Sequence, residues 1–197
     1  YTFDMGPTWY LMPEVFERYF QLVGSSIEEN YTLYDLDPSY RVFFSKDDIV
    51  DITRDQSHNR SVFDSFERQG GEKLTRYLNE ASQKYNIALN HFLYKDYLKP
   101  VDFLDPVIIK NGLKLNAFSK LDNYVRRFFS SDKARKILEF NTVFLGSSPK
   151  KTPALYSLMG HVDLSQGIRF PEGGIGSFIE ALYKNCLDRG VQFFFNH

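Results

Sequence analysis

The stretch IRFPEGGIGSFIEALYKNCLDRG sets Gly173, Gly174 and Gly176 in front of a helical pattern. Glycine-rich backbone at a helix N-terminus offers bare N–H groups to an anion, so the chemistry such a cluster could do is phosphate binding. The spacing does not complete a dinucleotide fingerprint, because Phe178 and Ile179 occupy the region where the third glycine of G-x-G-x-x-G should fall. No Walker lysine follows. A plain turn, or close packing of the helix on a neighbour, accounts for the same glycines. His58, His91, His161 and His197 show neither H-x-x-x-H nor H-E-x-x-H spacing, and with one cysteine in the chain no metal centre is expected. The acidic pairs Glu28-Glu29 and Asp47-Asp48 lie beside turns and read as solvated, and no G-x-S-x-G elbow is present. No side chain carries a general-base or nucleophile assignment, so the catalytic residues are unknown. That pattern suits a protein whose chemistry belongs to a cofactor, leaving position, apolar walls and electrostatics to the chain.

The elements that would hold such a site change character along the sequence. FDMGPTWYLMPEVFERYF opens with a strand-like triplet and a Gly6-Pro7 turn, then a helix with Pro13 in its first turn and Val15, Phe16, Tyr19, Phe20 and Val23 at helical spacing, closed by Gly24. A tight turn so close to residue 1 reads as the continuation of something upstream. The runs 31–36, 40–44 and 48–53 are rich in β-branched and aromatic residues, with turns at Asp37-Pro38 and Lys46-Asp47, and predict an antiparallel meander. From Ser61 the period becomes 3.6. A short helix to about Gln69, a Gly-Gly break and a long helix from Glu72 to about Tyr94 are expected. Further helices are predicted over 119–129, 132–145 and 153–163, opened by Ser119, Ser131 and Thr152 as caps. The tail reads as a short strand, the glycine turn, one helix and a strand, VQFFF, apolar enough to be buried on both faces and to want parallel neighbours. Both ends point to a sheet whose other strands lie outside these residues. The fold class is therefore α+β.

Composition excludes several classes. With 24 basic against 25 acidic side chains the net charge is −1, which argues against a nucleic-acid partner. The lone Cys186 reads as a small filler in a helix, excludes an internal disulfide and indicates a reducing, cytoplasmic compartment. No window approaches roughly 18 consecutive apolar residues, so no transmembrane helix is expected. The outlying feature is aromatic content, 19 Phe and 13 Tyr, which supplies rigid apolar surface for a core, an interface or a greasy pocket.

Three stretches taken together resemble the carotenoid (phytoene) desaturase family of flavoproteins, within the wider amine-oxidase-like group. They are YTFDMGPTWYLMPEVFERYF, LYDLDPSYRVFF and FLGSSPKKTPALYSLMGHVDLSQGIRFPEGGIGSFIEALYKNCLDRGVQFFF. The first is similar to the F-D-x-G-P-T stretch that leaves the cofactor domain, the second to the L-D-P-x-Y-R strand pair, and the third to the P-x-G-G-x-G helix that returns. The resemblance implies a substrate-binding domain over 1–167, with antiparallel strands at about 31–53 and helices at about 61–163. It implies a return segment over 168–197 toward an FAD-binding domain mostly absent from this chain. FAD would be the cofactor of the full-length protein, with Asp4, Gly6, Pro7 and Thr8 in a flavin-facing turn and Gly173 and Gly174 giving close backbone approach. The implied substrate is a hydrophobic polyisoprenoid such as phytoene, which brings peripheral membrane contact, and the isolated chain is expected to be inactive and to self-associate. The family's N-terminal G-x-G-x-x-G unit and C-terminal flavin segment are missing here. The alternative is a standalone helical module that binds a lipid or a protein.

Overall fold

The computed structural model describes residues 3, 4, 6–96, 98, 99 and 119–195. In chain order the elements are α1 (Pro13–Leu22), α2 (Ile27–Asn30), β1 (Leu33–Asp35), β2 (Tyr40–Ser45), β3 (Asp48–Ile52), α3 (Gln56–Phe66) and α4 (Gly70–Ala88). A π-turn (Leu89–Leu93) extends α4; then come α5 (Leu121–Val125) and α6 (Asp132–Glu139), which runs into a 3₁₀ segment (Phe140–Leu145). The helical run that follows changes from 3₁₀ (Ala154–Leu158) through one α-turn (Met159–His161) to π (Val162–Gln166), before β4 (Arg169–Pro171) and α7 (Ile175–Leu187). The mixture of helices with small antiparallel sheets is α+β. These elements form two compact units, one of residues 1–39 and 167–197, the other of 40–166.

In the first unit, Pro13 presets φ at the start of α1, and Gly24 at φ 71° stops it. A reciprocal cap opens α2: Ser26 Oγ accepts from Glu29 N, and Ser26 N donates to the Glu29 carboxylate. The expected meander does not form. β1 pairs antiparallel with β4, Leu33 opposite Pro171 and Asp35 opposite Arg169, while β2 pairs only with β3. The reason lies in the ladder, because Leu36 N donates to Ile168 O and Glu172 N to Thr32 O, which commits β1 to a segment far along the chain. Tyr10 bridges the other edge of β4, exchanging two backbone bonds with Arg169.

The second unit is the helical one, with a core that includes Ile52, Phe63, Leu74, Tyr124, Val125 and Ile137. The 3.6 period along α4 and its π-turn sets Leu74, Tyr77, Leu78, Ala81, Tyr85, Ala88, Leu89 and Phe92 on one stripe, of which the first five are buried and the last three only half-buried. Gly70 and Gly71 prove to be the first turn of α4 and not a break. Here α4 crosses α3 so closely that a Cβ on Gly70 would lie 1.8 Å from Phe63 O. The helix before them starts earlier than expected, because Asp55 caps it by accepting from Ser57 N at 2.8 Å. Ser131 caps α6 as predicted, but α5 opens at Lys120 without a side-chain cap, and the Thr152 hydroxyl donates back to Ser148 O. The helix expected to reach 145 is α only to Glu139 and tightens into 3₁₀ beyond. Part of the predicted helical middle, 101–118, lies outside the described residues, as do Tyr1 and Thr2 of the predicted opening strand.

At the C-terminus, residues 191–195 form no strand. Gly190 at φ 80° ends α7, and the side chains of Phe193 and Phe195 stack near Tyr183, with centroids 4.6 Å and 6.2 Å from it. Among the described residues no strand lies alongside them to supply a ladder, and Phe194 and Phe195 stand 73% and 67% exposed.

Candidate functional site

The glycine turn before α7 is occupied from within the chain. Asp4 Oδ2 accepts from Ile175 N at 3.0 Å, and Asp4 Oδ1 from Gly176 N at 3.3 Å. Gly174 N donates to Pro171 O, and Ser177 N to Gly174 O, so the N–H groups of residues 174–177 are all used. The carboxylate is therefore the anion that this helix N-terminus holds. Gly174, at φ 87° and ψ −177°, has the backbone conformation and the space for it: a Cβ there would meet Asp4 Oδ2 at 2.9 Å. Removing the carboxylate in Asp4→Ala is expected to destabilise the first unit by about 1 kcal/mol and to speed hydrogen exchange at Ile175 and Gly176. Asp4→Asn, which keeps one acceptor, should recover most of the protection.

Of the residues singled out from the sequence, the fold thus brings Asp4 and Gly174 into contact. Gly173 at φ 83° shapes the same turn, its Cβ position 4.0 Å from Ser177 Cβ. Gly6, Pro7 and Thr8 form an exposed run after Asp4, with open space around Gly6. The helix N-terminus does not fit a flavin pyrophosphate, because Ile175 N and Gly176 N are spent on Asp4, and Gly174 N and Ser177 N on backbone carbonyls. Among the described residues no group of three His, Cys, Asp or Glu could hold a metal ion.

Behind the turn stands an aromatic cluster that no sequence motif assembles. Phe178 on α7 meets Phe16 at 5.0 Å and Tyr31 at 6.2 Å between centroids, and Tyr10 lies 4.4 Å from Phe16. The hydroxyls of Tyr10 and Tyr31 share a 2.6 Å hydrogen bond. Burial is the main reason that both phenols are pushed above their ordinary range, so both stay protonated. A cleft of about 650 Å³ in the same unit is lined by Glu14, Glu17, Ile27, Tyr31, Asp35 and Arg169. Two of its acids have structural work: Glu17 accepts from Ile27 N at 2.8 Å, and Asp35 pairs with Arg169 at 2.8 Å.

The helical unit buries charge that no motif announced. Lys84, 3% exposed, donates to Ser157 Oγ at 2.9 Å and lies 3.5 Å from the Tyr124 ring centroid, while Tyr124 OH donates to Glu80. Burial brings the Lys84 ammonium down to about 8, and the Glu80 charge opposes that shift. Ser157 is itself 1% exposed and donates to Ala154 O, so the pair ties α4 to the 154–158 turn and presents no nucleophile to a substrate. The signal available is a lysine among the apolar positions of α4, three residues after Ala81 and seven after Tyr77.

The flavin containing amine oxidoreductase model matches residues 1–197. The chain belongs to that family. Among curated members, the carotenoid 3,4-desaturase of Haloarcula japonica is 37% identical over 194 residues, 98% of this chain and 39% of the relative. The 4,4'-diapophytoene desaturase (4,4'-diaponeurosporene-forming) of Staphylococcus aureus is 31% identical over 191 residues, 97% of this chain and 38% of the relative. The chain therefore spans about two fifths of the length of the curated relatives it matches.

Proposed function

We propose that this chain is the central part of an FAD-dependent oxidoreductase that desaturates carotenoid precursors such as phytoene or a related polyisoprenoid. The observation that carries the reading is similarity to desaturases over essentially the whole chain, 37% identity across 98% of it in one case. In this reading residues 1–167 serve the substrate-binding domain and 168–197 return toward the FAD-binding domain. The FAD pyrophosphate is bound by the part of the full-length protein that this chain does not span. Asp4, Gly6, Pro7, Thr8, Gly173 and Gly174 then shape the backbone beside the flavin, Asp4 by holding the first turn of α7 in place. When bound, the flavin accepts the two hydrogens removed from adjacent saturated carbons. The chain's own contribution is apolar surface for a substrate without polar handles, and the exclusion of water. The standalone lipid- or protein-binding module is not favoured, because the family match covers every residue.

Among the described residues no helix is long and apolar enough to cross a membrane. A cytoplasmic protein in peripheral contact with a membrane is the arrangement that suits a polyisoprenoid substrate. The exposed Val191, Phe194 and Phe195 make self-association of the isolated chain the expected outcome, seen as concentration-dependent sedimentation. Titration with FAD, followed by flavin fluorescence, tests the division of labour. The 197-residue chain is expected to bind weakly or not at all and the full-length protein tightly. Micromolar or tighter binding by the chain alone would contradict it.

A further inference from the structure

In the helical unit, Asp163 is 0% exposed, and the structure gives its two oxygens unequal fates. Oδ2 accepts from Tyr40 OH at 2.8 Å and from Asn141 Nδ2 at 3.3 Å. Oδ1 has no partner, and neither has Oδ1 of Asn141, itself 2% exposed. The two unsatisfied atoms thus belong to two groups already joined through their other ends, and both are acceptors. A carboxylate beside a carbonyl oxygen cannot satisfy either one, whereas a carboxylic acid satisfies both. Buried acceptors left unpaired are costly enough that native interiors avoid them.

We infer that Asp163 is a neutral carboxylic acid in the folded protein, its proton on Oδ1 and donated to Asn141 Oδ1. With the existing Asn141 Nδ2 bond this closes a two-bond acid–amide ring, and Tyr40 completes the set by donating to Oδ2. The ring joins β2, the 3₁₀ segment after α6 and the π-turn at 162–166. Tyr40 is the first residue of this unit, and Asp163 lies three residues before Gln166, its last, so the Tyr40–Asp163 bond ties the points where the chain enters and leaves it, and the proton adds Asn141 to that tie. Loss of the proton turns the Oδ1–Oδ1 bond into a repulsion between acceptors and leaves a carboxylate charge buried against the Asn141 carbonyl, while the Tyr40 bond to Oδ2 persists. The unit is in this sense pH-sensitive.

The groups facing Asp163 support the neutral form. They are Tyr40 on β2, Asn141 on the 3₁₀ segment and, further off, Tyr77 on α4, whose own hydroxyl is buried without a partner. No ion pair of Asp163 is present among the described residues. Burial, opposed by the Tyr40 and Asn141 hydrogen bonds, pushes its carboxyl up to about 7 from an ordinary 3.8. The folded value lies above the unfolded one. The stabilisation is therefore fully present below the unfolded value and is lost as pH rises through the folded one. Glu139 is also pushed up to about 7 by burial, so a pH profile of the wild type alone cannot assign the effect.

Asp163→Asn makes the assignment, since its amide donates permanently where the acid donates only when protonated. The Tm of the wild-type chain is expected to fall relative to that of Asp163→Asn by roughly 5 °C between pH 5 and pH 8. A difference that stays constant over that range would overturn the inference. Carboxyl-carbon NMR of the wild type, labelled at aspartate only, stands independently of whether the variant folds. One aspartate still protonated at pH 6 is expected, and titration of every aspartate below about pH 5 would refute the proposal.

Discussion

Gly70→Ala is expected to destabilise the helical unit by about 3 kcal/mol or more, read as a drop in the urea midpoint. The added methyl would lie 1.8 Å from the carbonyl oxygen of Phe63 and 2.4 Å from its carbonyl carbon. These are backbone atoms of α3, so no side chain can rotate away, and relief requires α3 and α4 to separate. Phe63 is itself 0% exposed and packs on Phe66 and Phe129, so the movement would open the core. Gly176→Ala is the control, because nothing lies within 4 Å of the corresponding position on α7. Alanine there is expected to be neutral or stabilising by about 0.5–1 kcal/mol. Equal effects at the two glycines would show that the close approach of α3 and α4 is not what Gly70 provides.

The second large effect concerns what the aromatic residues are for. Phe20 is 0% exposed and meets Tyr31 at 5.9 Å and Phe178 at 6.5 Å between centroids, both edge to face. Phe20→Ala is expected to cost about 3–5 kcal/mol, the transfer term plus the cavity left behind. Its neighbour Tyr19 is 39% exposed, and Tyr19→Ala should cost less than about 1 kcal/mol. The contrast separates a packed core from a pocket. A pocket wall already faces space when no ligand is bound, so truncating it costs little stability. Chemical denaturation of both variants without added ligand decides between them, and a small loss at Phe20 would mean that this cluster is a binding surface.

Features carried by local sequence are legible in the sequence itself. Pro13 and Gly24 bound α1, Ser131 caps α6, and the Lys46-Asp47 turn sets the β2–β3 hairpin, because in each case the physical cause lies within a few residues of the effect. What escaped were unions across the chain. Arg169 meets Asp35 across 134 positions, Asp4 meets Ile175 across 171, and Tyr40 meets Asp163 across 123. No periodicity encodes such pairs. The meander failed for that reason, since β1 was read with its sequence neighbours while its ladder belonged to β4. The Gly-Gly break failed for a related one: glycine marks a turn and a close helix crossing equally well, and only the position of Phe63 O tells them apart. At the candidate site, residue types pointed to the glycine turn before α7 but not to the carboxylate that fills it. The motifs gave the family because their order and spacing extend over nearly the whole chain, and a match over residues 1–197 bears that out.

The central claim is that the full-length protein removes hydrogen from a polyisoprenoid and passes it to a bound flavin. The most direct measurement is the absorption of the full-length protein loaded with FAD, mixed without oxygen with phytoene in lipid vesicles. Each double bond formed releases two hydrogens, so the account predicts one oxidised flavin bleached per new double bond, together with a product of longer conjugation. A full-length protein that takes up no FAD, or a flavin that stays oxidised in the presence of phytoene and every related polyisoprenoid tried, would contradict it.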